Sequence, residues 1–74
     1  MAEVTYTFTV TGMHCGSCGL LIDDTLEDMP GVSVSHTDVR RSRTTVYLDP
    51  DRCATDDIIG AIADAGYAAQ VVQP

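Results

Sequence analysis

Residues 4–34 read VTYTFTVTGMHCGSCGLLIDDTLEDMPGVSV, and the hydrophobic period changes within them from two to that of a helix and back. Val4, Tyr6, Phe8 and Val10 alternate with Thr5, Thr7 and Thr9, the pattern of a strand with one buried face. Beyond Gly12 to Cys15, apolar Leu21, Ile22, Leu26 and Met29 recur at helical spacing, which assigns Asp23, Asp24, Glu27 and Asp28 to the solvated side. Pro30-Gly31 stops this helix, and Val32 and Val34 begin a second strand.

The remainder repeats the scheme. Val46 and Leu48 mark a third strand, reached through a polar turn around Arg40 to Ser42 and ended by Asp49-Pro50. Thr55 is placed to cap a second helix, with Asp56 and Asp57 in its positive first turn and Ile58, Ile59 and Ile62 as its apolar stripe. Gly66 suits the left-handed closing position, and Tyr67 to Val72 reads as a last strand. The order β-α-β-β-α-β predicts an α+β, ferredoxin-like sandwich: a four-stranded antiparallel sheet with both helices on one face, a single domain over 1–74. In that topology the loop after the first strand, the Arg40 to Ser42 hairpin and the turn at Gly66 share one end. The loop carrying Cys53 lies at the other, about 20 Å away.

With 74 residues, 11 of them acidic against 4 arginines, the chain carries a net charge of -7. That charge disfavours nucleic acid and anionic lipid and favours cations or a protein with a positive docking face. The N-terminus lacks the basic start and apolar run of a signal peptide, and no stretch reaches transmembrane length. Three cysteines without an export signal argue for reduced thiols and a cytoplasmic location rather than a disulfide framework.

Chemistry concentrates in Met13-His14-Cys15-Gly16-Ser17-Cys18. Two thiolates three residues apart, one on a loop and one in the first turn of a helix, can converge on one ion. Thiolate sulfur selects soft d10 ions, and a two-ligand set suits Cu(I). The positive helix N-terminus offsets the anionic complex and favours thiolate over thiol. Cys-x-x-Cys alone also serves redox enzymes and half-sites for zinc. A closed zinc site would have to draw on His14, His36 and Cys53.

Gly12 to Cys18, with Asp49-Pro50 and the run Ala61 to Tyr67, resembles the heavy-metal-associated domain over nearly the whole chain. The family comprises bacterial copper chaperones, N-terminal domains of metal-exporting P-type ATPases and mercury carriers. The resemblance implies that Cys15 and Cys18 hold the metal, that Met13 turns inward to support the loop, and that the ion passes to a partner ATPase by ligand exchange. Tyr67 falls where bacterial copper members have a tyrosine near the metal loop and eukaryotic chaperones a lysine. His14 departs from the Thr or Ser of copper members and the Asp of zinc exporters, so Zn(II) stays open beside Cu(I), with Hg(II) implied by the mercury carriers.

Simpler roles compete at each position. Met13 reads as a core filler before a thioether ligand. His14 reads as an exposed loop residue before an auxiliary ligand, and His36, at the parity of Val32 and Val34, is given no metal role. Cys53 reads as a small buried hydrophobe, and Tyr67 as core aromatic and lid together. Arg40, Arg41 and Arg43 either steer a partner or keep the hairpin soluble. The expected protein is a non-enzymatic metal carrier, monomeric without metal and open to a metal-bridged dimer. An excised ATPase domain is the nearest alternative, and the starting methionine favours the free chaperone. A thiol redox enzyme stands further off, since Pro30, Pro50 and Pro74 fall at element ends rather than facing the Cys pair.

Overall fold

A computed structural model of the chain describes residues 3–14 and 16–72. The elements are β1 (Val4–Thr11), α1 (Gly16–Glu27), β2 (Val32–Asp38), β3 (Arg43–Leu48), α2 (Thr55–Asp64) and β4 (Ala68–Val72). They form one antiparallel sheet in the order β2-β3-β1-β4, the ferredoxin-like βαββαβ arrangement. Phe8 and Val10 of β1 and Val46 and Leu48 of β3 meet Ile22 and Leu26 of α1 and Ile58 and Ile62 of α2 in one core. Each of these side chains is at most 1% exposed. Burial of that completeness contributes about 1.5–3 kcal/mol per large aliphatic side chain.

The register fixes the two ends of the molecule. Thr9 pairs with Arg43 and Thr11 with Ala68 at one end, and Val4 pairs with Leu48 at the other. The Val10 N–H also donates to the Ser42 carbonyl at 2.8 Å, drawing the β2–β3 turn against the exit of β1. The loop after β1, the arginine hairpin and the turn after α2 therefore do share an end.

Three local expectations are corrected. Leu21 is 49% exposed and Leu20 68%, so the buried face of α1 runs through Gly19, Ile22 and Leu26. The side assigned to solvent splits in consequence. Asp24, Glu27 and Asp28 are exposed and Asp23 is half-buried, yet the carboxylates of Asp23 and Glu27 both reach the outer strand β2. There Glu27 Oε2 accepts the Ser35 N–H at 3.0 Å and Asp23 Oδ2 accepts the Thr37 N–H at 3.2 Å. An edge strand otherwise leaves such groups to water or to a stray strand, and here two carboxylates occupy them.

The second correction is a bulge at Ser33, between the pairs Val32–Leu48 and Val34–Tyr47. The extra residue reverses the side-chain alternation. Val34 and His36 consequently face outward, Ser35 becomes buried, and His36 sits within the strand opposite Thr45 rather than sharing the face of Val32.

Third, the cap of α2 is Ala54, not Thr55, which is the first helical residue. Ala54 has the extended backbone a cap requires (φ −98°, ψ 161°) but no side-chain acceptor. Asp57 Oδ2 accepts the Ala54 N–H at 3.0 Å, half of a capping box. Ala54→Ser should supply the missing half and raise stability by about 0.5–2 kcal/mol. An unchanged urea midpoint would show that the first-turn amides are already satisfied.

The other end of α2 follows its expectation. Gly66 adopts φ +103°, and the Gly66 N–H donates to the Ala63 carbonyl at 3.0 Å. The Tyr67 N–H donates to the Ile62 carbonyl at 3.1 Å. This pair of bonds is a Schellman motif, whose left-handed residue is favourable only without a Cβ.

Candidate metal centre

The loop from β1 to α1 is built from both sides. At its start, Gly12 takes φ +98°, turning the chain from the sheet toward the helix. Met13 follows, half-buried and packed against the core, as expected of a residue that anchors the loop from beneath. His14 is exposed. Cys15, the first expected ligand, lies outside the described residues. Gly16 and Ser17 are exposed, and Cys18, the second expected ligand, is half-buried in the opening turn of α1. The amides of that turn have no helical carbonyl to bond, and their positive field favours an anion at Cys18.

Tyr67 lies beside the start of the loop, just after the neighbouring turn. The Schellman bonds hold its backbone, its side chain packs against the core, and its ring edge borders Gly12, where a Cβ would lie 3.5 Å from Tyr67 Cδ1, an ordinary van der Waals distance. Arg40 and Arg41, in the adjacent turn, and Arg43, at the head of β3, are all exposed. Arg41 Nε lies 3.9 Å from Asp38 Oδ2, an exposed contact that adds little stability. Positive charge is thus presented beside the loop of an otherwise acidic chain.

Cys53 and His36 are not brought to this end. Cys53 precedes α2 at the opposite end, 3% exposed, with its Sγ 3.7 Å from the Ala54 carbonyl. Burial, and secondarily the Asp57 carboxylate, push its thiol above the ordinary cysteine value, so it stays protonated and a poor ligand at neutral pH. His36 projects from mid-strand on the open sheet face. Among the described residues no three His, Cys, Asp or Glu side chains gather where one ion could be held. Nor, among them, is any helix long and apolar enough to cross a membrane.

A βαββαβ sandwich with a Cys-x-x-Cys pair at the entry to its first helix defines a class of small thiolate-loop domains. The model of the heavy-metal-associated domain matches residues 7–68, and the chain belongs to that family. It is 33% identical over 61 residues to the copper chaperone CopZ of Bacillus subtilis, a match covering 82% of this chain and 88% of that one. It is 38% identical over 66 residues to the copper-transporting ATPase RAN1 of Arabidopsis thaliana, covering 89% of this chain but 7% of the ATPase. Its fold superposes on oxidized MerP from Ralstonia metallidurans CH34 with a TM-score of 0.92 at 29% identity, covering 97% of this chain and all of the other.

Proposed function

We propose that this protein is a cytoplasmic, non-enzymatic Cu(I) carrier that holds its cargo between Cys15 and Cys18 and delivers it to a P-type ATPase. The observation that carries this reading is the position of Cys18: half-exposed, in the positive first turn of α1, at the end where Met13 and Tyr67 back the loop. The likeness to a copper chaperone over most of both chains supports the choice of metal and of a carrier role.

Two thiolates satisfy Cu(I) while leaving its coordination sphere open to a third. A first partner thiolate would add to the ion and one carrier sulfur would leave, and a second partner thiolate would then replace the remaining carrier sulfur. Each step exchanges one Cu–S bond for another, so the ion moves without ever being released to water. Tyr67 limits solvent at the inner side of the loop, while exposed His14 and the arginine hairpin flank the outer side, where a partner would approach.

The 29% identity over 72 residues to the periplasmic component of a mercuric transport protein from Pseudomonas aeruginosa supports Hg(II) as a second cargo, since that ion also suits paired thiolates. The test is anaerobic titration of reduced protein against a chromophoric Cu(I) chelator, with Hg(II) and Zn(II) run beside it and X-ray absorption of the loaded forms. One Cu(I) per chain with two sulfur neighbours is the expected result. Tighter Zn(II) binding with nitrogen in its shell would move the assignment to zinc and His14. Catalytic reduction of insulin disulfides without tight Cu(I) binding would replace the carrier by a thiol redox protein.

A further inference from the structure

The residue after Cys18 is Gly19, which is buried against the end of β2 and the turn that follows. A Cβ at Gly19 would lie 2.9 Å from Val39 Cγ2 and 3.3 Å from Thr37 Cγ2, closer than a side chain tolerates without displacement. The bare Gly19 thus lets α1 lie close against Thr37 of β2 and Val39 of the turn, where a side chain would push Val39 aside. Four residues on, and so on the same helix face, Asp23 meets the same threonine. Its Oδ1 accepts the Thr37 hydroxyl at 2.7 Å and the Ser35 hydroxyl at 2.7 Å, and its Oδ2 accepts the Thr37 N–H at 3.2 Å.

Because the Thr37 hydroxyl donates to a carboxylate, its 2.9 Å contact with the fully buried Thr44 must be completed by a proton from Thr44. The chain of bonds thus runs from α1 through β2 into β3. Thr37 is its centre, gripped by Gly19 through contact and by Asp23 through two hydrogen bonds.

We propose that Gly19, Asp23 and Thr37 form a clamp that presets the opening turn of α1, and hence Cys18, for the metal. This rests on the carrier reading above, and it makes Asp23 and Thr37 positioning residues for a ligand they do not touch. A thiolate on a turn fixed against the sheet loses little freedom when an ion binds, whereas one on a loose turn must be ordered at the expense of affinity. Glu27, which holds β2 through Ser35 a full turn further from Cys18, lies outside the clamp.

The experiment compares the full chain with Asp23→Ala, Thr37→Val and Glu27→Ala, measuring Cu(I) affinity by chelator competition and the apo melting temperature of each. Partners bonded directly to metal ligands matter about ten- to a hundredfold in affinity, and for Asp23→Ala, acting one contact further out, a loss of about tenfold is expected, with a smaller one for Thr37→Val. Glu27→Ala should lower the melting temperature yet bind Cu(I) as the wild type does. Asp23→Asn, which retains an oxygen for the two hydroxyls, should restore part of the affinity, and it serves if Asp23→Ala does not fold.

If the Asp23 and Thr37 variants melt earlier but bind Cu(I) with unchanged affinity below their transitions, the bonds serve stability alone and the clamp is overturned. If the wild-type chain itself fails to bind Cu(I), the carrier reading falls first and the clamp's role with it.

Discussion

Cys18→Ser is expected to lower Cu(I) affinity on the order of a thousandfold or more, an effect that only the loss of the other thiolate should match. A serine hydroxyl is hard, stays protonated at neutral pH and cannot replace a soft thiolate bound to a d10 ion. The helix field that favours an anion at position 18 falls far short of ionising an alcohol. Cys15→Ser should act alike, because either change leaves one sulfur for an ion that needs two. Cys53→Ser is the control: its thiol is buried at the far end and held protonated, so affinity should not move. Chelator competition under reductant reads all three. Wild-type affinity in either Cys15→Ser or Cys18→Ser, or its loss in Cys53→Ser, would contradict the assignment of the site.

Phe8→Ala is expected to unfold much of the metal-free protein. Phe8 is completely buried on β1, a central strand, between its partners Thr44 and Val71. Removing such a ring costs about 3–5 kcal/mol, the lost transfer energy compounded by the cavity left behind. A single core below about 80 residues rarely supplies more than about 3–5 kcal/mol of net stability, so a chain of this length has little more than that to lose. Urea denaturation of the apo form should find a midpoint near zero, against a clear transition for the wild type. The cavity lies in the core rather than at the loop, so Cu(I) at a hundredfold excess over its dissociation constant should return about 2.7 kcal/mol and partly refold the variant. A wild-type midpoint without metal would mean that the core does not depend on this ring.

What the sequence makes legible here follows from how local each signal is. The alternation in β1 and the left-handed closure at Gly66 are properties of a few consecutive residues, and both appear as expected. The ferredoxin-like order follows from the succession of periods alone. Asp23 and Glu27 look like solvated charges because nothing nearby in sequence reveals the bare amides of Ser35 and Thr37 that they satisfy. The bulge at Ser33 is a property of pairing with β3, so Val32 and Val34 read as one face when they belong to two. Ala54 gives no cap signal at all, since its function is purely conformational.

The site divides in the same way. Cys15 and Cys18 are marked by their spacing, and Met13 and Tyr67 by the motif around them. The structure places Met13 and Tyr67 against the core beside the loop. Gly19 and Thr37, by contrast, acquire meaning only once α1 lies on β2. A glycine following the second cysteine, with an acidic residue four positions later, is the nearest thing to a signal for that contact in one dimension.

The direction of the first and last strands decides how this domain can be handled by whatever it is joined to. β1 runs toward the loop of Cys18 from the remote end of the sheet, and β4 runs away from that loop as far as the level of Thr7. A tether or neighbouring module joined ahead of β1 would approach from behind the cargo and leave the docking pole unobstructed.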